Sequence, residues 1–208
     1  MILLFALAGL FALVDWIAVA KGRRWLEYVC KPAVIVALIA VALALETDSD
    51  VRRALFIAAL VMSLTGDVLL MVPRDFFVPA LAAFLAAHLT YAIGFIDEGV
   101  SASGAAVSVV AILVPTMVLG ARIMSSVRAG ASRLTRPVAA YMLVINVMVV
   151  TALATGNVLA GTGALLFYAS DALLAYDRFV TPVVWSRPTV MVTYHLAQGA
   201  LVASLAAW

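Results

Sequence analysis

Two aspartates lie inside long apolar runs. Asp67 sits in the string LTGDVLLMV within Leu55–Val72, and Asp171 sits in FYASDALLAY within Leu159–Tyr176. Each occupies the same local frame: a small residue, Asp, one apolar residue, then Leu-Leu. A carboxylate near the centre of a membrane helix costs about 2.5–3.5 kcal/mol on insertion scales. Meeting that cost twice in one frame points to a functional pair. The plainer alternative is a structural aspartate satisfied by a neighbouring hydroxyl, Ser63 for Asp67 and Ser170 for Asp171. Two carboxyls in different surroundings can act as a general acid and a general base, and their charge can steady a cationic intermediate.

Other polar side chains fall at a similar depth. Tyr194, His195 and Gln198 are spaced i,i+4 and i,i+3 and so share one helix face. Lys31 and Arg136 stand at the expected starts of the second and sixth spans, with Tyr141 one turn beyond Arg136, and His88 lies mid-way along the fourth. Lys31 and Arg136 are candidates to hold an anionic group such as a phosphate, and His88, Tyr141, Tyr194, His195 and Gln198 to bind substrate and orient water. Asp15 is expected to snorkel or pair with a loop arginine, Asn146 to glue helices together, and Trp16, Trp25, Trp185 and Trp208 to form an interface belt. Two Asp and two His could in principle hold zinc, but no His-x-x-x-His, His-Glu or Cys pattern occurs, so no metal or other cofactor is expected.

The elements that must position these groups follow from composition. Of 208 residues, 66% are hydrophobic and 12% charged, where a soluble domain carries about 25% charged. That predicts an all-α membrane protein, one polytopic domain over 1–208 with no partner of nucleic-acid type. Eight apolar spans are expected, near 2–20, 32–45, 54–72, 77–96, 104–121, 137–155, 159–176 and 188–206. Ala18-Val19-Ala20 resembles a cleavage site, but no basic segment precedes the first span, so an uncleaved helix is expected. The single Cys30 excludes an intramolecular disulfide framework.

Basic residues set the orientation. Lys21, Arg23, Arg24, Lys31, Arg74, Arg122, Arg128, Arg133, Arg136, Arg178 and Arg187 fall at odd-numbered loops, against only Arg52 and Arg53 at even ones. The positive-inside rule then places odd loops in the cytoplasm and both termini outside. Asp67 and Asp171 fall in the cytoplasmic half, as expected for a site open to the inner leaflet of a bacterial-type cell membrane.

The two halves can be superposed as a 4+4 parallel repeat. Lys31-Pro32 matches Arg136-Pro137; Asp67 follows Lys31 by 36 residues and Asp171 follows Arg136 by 35. His88 follows Asp67 by 21, and His195 follows Asp171 by 24. Such a repeat predicts that Asp67 and Asp171 face each other near an axis along the membrane normal.

The chain resembles the lysoplasmalogenase family, the YhhN-type membrane proteins. The matching strings are Lys31-Pro32, GDVLL at 66–70, AFLAAHLTYAIGF at 83–95, GALLFYASDALLA at 163–175 and TYHLAQGALVAS at 193–204. Ala80-Leu81-Ala82 stands where family members often have Gly before the AF-LAH string, a departure that bears on packing. The resemblance implies a membrane hydrolase that opens the vinyl ether of lysoplasmalogen to a fatty aldehyde and a glycerophospho-ethanolamine or -choline. It also implies that Asp67 and Asp171 are the catalytic residues. The rival reading is a proton-coupled transporter of a small amphipathic or lipid-like solute, which also suits intramembrane Asp and His. Six of seven prolines lie at helix ends or in loops, so the paired broken helices of many carriers are missing. A lipid-binding scaffold is the third reading.

Overall fold

The structure is a computed structural model that describes residues 1–74 and 76–206. Trp208 lies outside the described residues. These residues form eight α-helices and one short 3-10 turn. The helices are α1 (Ile2–Ala20), α2 (Arg24–Ala44), α3 (Asp50–Met71), α4 (Phe77–Glu98), α5 (Ala102–Gly130), α6 (Thr135–Ala154), α7 (Val158–Phe179) and α8 (Ser186–Ala203). All eight expected spans are therefore helices, with two changes of extent. α2 starts at Arg24 rather than near 32, and α5 runs on to Gly130. Seven of the eight, α1 to α7, are long and apolar enough to cross a membrane. α8 falls short because Tyr194, His195 and Gln198, with a Ser-Arg-Pro-Thr start, lower its hydropathy.

Short connections fold the chain up and down. The turn after α1 uses Gly22 at φ 66, a left-handed conformation that glycine adopts without a Cβ clash. At one end, Arg187 of α8 pairs with Glu27 of α2, and the Phe77 and Phe179 rings of α4 and α7 meet edge to face. At the other end, Asn157 caps α7 by accepting from the amides of Leu159 and Ala160. The Asn157 amide also donates to Glu98 and to the Ser204 carbonyl, and Arg52 pairs with Glu98 at 3.5 Å. Arg53 pairs with Asp50 there. Both basic residues of this second end are thus neutralised locally, while most others gather at the first end.

The contact pattern is close to two-fold. α1 packs on α2, α2 on α3 and α3 on α4, and the corresponding α5–α6, α6–α7 and α7–α8 contacts repeat it. The first four helices meet the last four through α4–α6, α1–α8 and α2–α8. Small residues allow close approach: a Cβ at Gly66 would come within 2.6 Å of the Phe84 ring, and one at Gly163 within 3.0 Å of the Ala197 carbonyl oxygen. Gly66 therefore lets the α4 aromatic face press onto α3 one residue before Asp67. The exposed aliphatic side chains of α1 and α5, such as Leu10, Val110 and Val114, form the outer apolar surface.

Candidate active site

Both aspartates are held by side chains from other helices. The Lys31 ammonium of α2 sits 2.8 Å from Asp67 Oδ1. The Tyr194 hydroxyl of α8 donates to Asp67 Oδ2 at 2.7 Å. Asp67 is 1% exposed, so each of its oxygens is engaged away from solvent. Behind it runs a hydrogen-bonded chain: Gln198 Nε2 donates to Tyr194 at 3.3 Å, and the Tyr91 hydroxyl donates to Gln198 Oε1 at 2.7 Å. Three of these groups come from one face of α8 or its partner α4. The shared face expected for residues 194, 195 and 198 is therefore buried and directed inward.

Asp171 has a different setting. The Tyr141 hydroxyl of α6 donates to its Oδ2, and His88 Nε2 of α4 lies 3.7 Å from the same oxygen. Asp171 has no lysine or arginine partner among the described residues. The His88 ring is fully buried, edge-on to Tyr141 and Phe167. Phe167 also meets Tyr194 edge to face at 5.3 Å. His88, Phe167 and Tyr194 thus form an aromatic wall running from one aspartate's partners to the other's.

Asp171 and Tyr141 line a cavity of about 80 Å³. Its walls come from α3, α4, α5, α6 and α7 and are otherwise mostly apolar, with Leu70, Phe84, Gly120, Met142 and Ile145 among them. Asn146 and Tyr168 bring polarity to one part of the wall. There Thr116 donates to Asn146 at 2.7 Å, and its hydroxyl is 3.0 Å from that of Tyr168. Asn146 also donates to the Met142 carbonyl within α6, so the helix-packing role expected for it rests on its bond from Thr116 of α5.

Several expectations change. Lys31 does not open α2. The helix extends through Pro32 to Arg24, so Lys31 lies two turns inside it, 4% exposed and locked to Asp67. Arg136 remains at the first turn of α6 and is exposed. The residues that meet the aspartates from the preceding helices are Lys31 and Tyr141, so the match of Lys31 to Arg136 shifts by about one and a half turns. Ser63 and Ser170 do not satisfy the aspartates: Ser170 donates to the Val190 carbonyl, and the buried Ser63 hydroxyl has no partner. Asp15 neither snorkels nor pairs, being 0% exposed with neither oxygen hydrogen-bonded. Trp16 is not a belt residue, since its indole donates to His195 Nδ1 at 3.1 Å. Trp25 and Trp185 are exposed, as expected of one. Tyr91 escaped the sequence reading; its i,i+3 spacing from His88 was the available signal.

The YhhN family model matches residues 26–205. The chain is 39% identical over 140 residues to lysoplasmalogenase TMEM86B of Homo sapiens, covering 67% of this chain and 58% of that protein. It is 35% identical over 150 residues to lysoplasmalogenase TMEM86B of Rattus norvegicus, covering 67% of this chain and 56% of that one. With the lysoplasmalogenase of Mycobacterium tuberculosis the identity is 31% over 179 residues, covering 79% of this chain and 67% of that protein. The chain thus spans less than two thirds of the length of the human and rat relatives. No solved structure matches it.

Proposed function

The chain belongs to the YhhN family, and on that premise we propose that it is an integral membrane hydrolase acting on the vinyl ether of lysoplasmalogen. The observation that carries this reading is the unequal partnering of the two aspartates. The Asp67 charge is balanced by Lys31, whereas Asp171 meets a phenol and an imidazole and opens on the apolar cavity. One carboxyl is equipped as a base and the other as an acid.

The reaction then runs in two steps. A proton from Asp171 adds to the β-carbon of the vinyl ether, leaving an oxocarbenium ion. Asp171 Oδ1, which carries no hydrogen bond, is the atom that holds this proton; Oδ2 is occupied by Tyr141. Water then adds to the cationic carbon while Asp67 takes the water's proton. The hemiacetal left by these two steps collapses as its hydroxyl proton passes to Asp171 and Asp67 returns its proton to the departing glycerol oxygen, which gives the fatty aldehyde and the glycerol hydroxyl, restores both carboxyls and consumes one water overall. The two carboxylates also stabilise the passing positive charge. Phe84, Ile145 and Met142 would receive the hydrocarbon chain, and Arg136, exposed two residues before the cavity residue Val138, would meet the phosphate.

The same reading takes α8 as an eighth span, which its buried Tyr194, Ala197 and Leu201 support. It takes the end rich in lysine and arginine as cytoplasmic and both termini as outside. A 4+4 repeat is supported by the partnering itself. Each aspartate meets one side chain from the preceding helix, Lys31 or Tyr141, and one from the last helix of the other half, Tyr194 or His88. The test is aldehyde release from lysoplasmalogen by purified protein in detergent. Release by the wild type that disappears in both Asp67→Asn and Asp171→Asn supports the mechanism. Release that persists in either variant rejects it, and a folded wild type that releases none rejects the substrate and returns weight to transport.

A further inference from the structure

A second buried polar region lies behind Lys31, where α1, α2 and α8 pack together. Asp15 of α1 is fully buried there, and both its carboxyl oxygens lack hydrogen-bond partners. His195 of α8 is 4% exposed; Trp16 occupies its Nδ1, and its Nε2 has no partner. Three orphaned atoms on two contacting helices are unusual, because buried polar groups are almost always satisfied by protein or by ordered water. The substrate cavity does not explain them, since neither Asp15 nor His195 lines it.

The region has one polar outlet and one polar floor. At the outlet, Arg187 makes a two-pronged contact with Glu27, at 3.1 and 2.9 Å, and its side chain is 55% exposed. One turn deeper on the same face of α2 stands Lys31, bound to Asp67. Asp15 interacts electrostatically with all four of these groups, Glu27, Arg187, Lys31 and Asp67. His195 interacts with Lys31, and Cys30 with Asp15. Asp15 and His195 thus share the α1–α2–α8 junction with an exposed ion pair, Glu27–Arg187, and a buried one, Lys31–Asp67.

Hydrolysis inside a bilayer needs a supply of water, and the apolar cavity at Asp171 is the wrong medium for it. We propose that the α1–α2–α8 junction is a hydrated vestibule in which Asp15 and His195 hold water that enters beside Glu27–Arg187 and reaches Asp67. Its use in turnover rests on the hydrolase reading; its hydration does not. Asp15 is then a positioning residue for water, and the lipid chain and the water approach the two carboxyls by separate routes.

Cys30 is a reporter already in place. The folded protein is exposed to Ag⁺ in nitrate buffer, then unfolded and alkylated, and the unblocked thiol is measured by mass. Silver ion is close to water in size, so it follows a hydrated path that larger reagents cannot. Cys30 is expected to be blocked in the wild type and in Asp15→Asn, and blocked about tenfold more slowly in Asp15→Leu. Turnover should also fall about tenfold in Asp15→Leu with KM unchanged, and survive in Asp15→Asn. A wild-type Cys30 that stays fully alkylatable after Ag⁺ overturns the vestibule whether or not Asp15→Leu folds. Equal blocking in wild type and Asp15→Leu overturns the role of Asp15. Rapid blocking without hydrolysis of any lysolipid would reject the hydrolase and leave the vestibule standing.

Discussion

Tyr194 donates its hydroxyl to the one oxygen of Asp67 that Lys31 leaves free, at 2.7 Å. The carboxylate is thus fixed from two helices at once, which aims it without solvent. Hydrogen bonds to charged groups contribute about 1.5–3 kcal/mol. Tyr194→Phe should keep the fold and lower turnover about 10- to 100-fold. Aldehyde release at saturating substrate measures this, and an unchanged rate would remove Tyr194 from the mechanism.

The two Asn variants should part company in stability. Each is expected to lose activity by about 10²- to 10⁴-fold, the usual contribution of a general acid or base. Asp67→Asn also strands the Lys31 ammonium in the core, a change that costs about 3–5 kcal/mol. Asp171→Asn strands no lysine or arginine and should melt near the wild type in detergent. Equal melting points for the two would contradict the unequal partnering.

Lys31 gives the reciprocal test. Lys31→Met leaves Asp67 unpaired and should destabilise by a similar margin, about 3–5 kcal/mol. Adding Asp67→Leu should recover most of that loss, because an apolar pair of similar volume replaces a buried ion pair with little penalty. Thermal unfolding of the single and double variants decides it. A double variant no more stable than the single would mean that Lys31 supports the fold through other contacts.

What could be read from residues alone was the identity of the polar groups, and what could not was their partners. Asp67 and Asp171 stand out because charge is rare in apolar runs, and Tyr194, His195 and Gln198 because helical spacing aligns them. Lys31-Pro32 misled because proline favours a helix's first turn. Packing of α2 against α1 and α3 carries the helix through Pro32 and two turns further back. Asp15 and Trp16 were assigned to the surface by their nearness to a span's end. Packing of α1 against α2 and α8 buries Asp15 and half-buries Trp16. Helix partners in a bundle depend on which faces meet in space, and periodicity within one helix does not encode that.

Cavity length should set chain preference. A Cβ at Gly120 would come within 2.4 Å of the Met142 terminal methyl, and both residues line the cavity. Gly120→Leu should push Met142 inward and shorten the space. Turnover of long-chain substrates is expected to fall about tenfold relative to short-chain ones, a difference of about 1.4 kcal/mol. Competition between two chain lengths in mixed micelles reads the ratio directly. An unaltered ratio would place the hydrocarbon elsewhere.

Chelation should have no effect. Among the described residues, no three His, Cys, Asp or Glu side chains gather as metal ligands. Activity in EDTA is expected to match the untreated protein. Loss on chelation with recovery on adding zinc would replace the two-carboxyl mechanism with a metal-assisted one.

The low hydropathy of α8 has a consequence for biogenesis. The helix that brings Tyr194, His195 and Gln198 to the site is the one that does not meet the length and hydropathy of a self-sufficient span. An isolated segment of this kind partitions poorly from the insertion machinery into lipid, and it gains its place by docking its polar face on helices already there. Asp67, Tyr91 and Trp16 offer that docking. On the proposed reading, assembly of the site and retention of α8 in the membrane become a single event. A chain that fails to form the site would also lose its topology, and quality control would meet both faults as one.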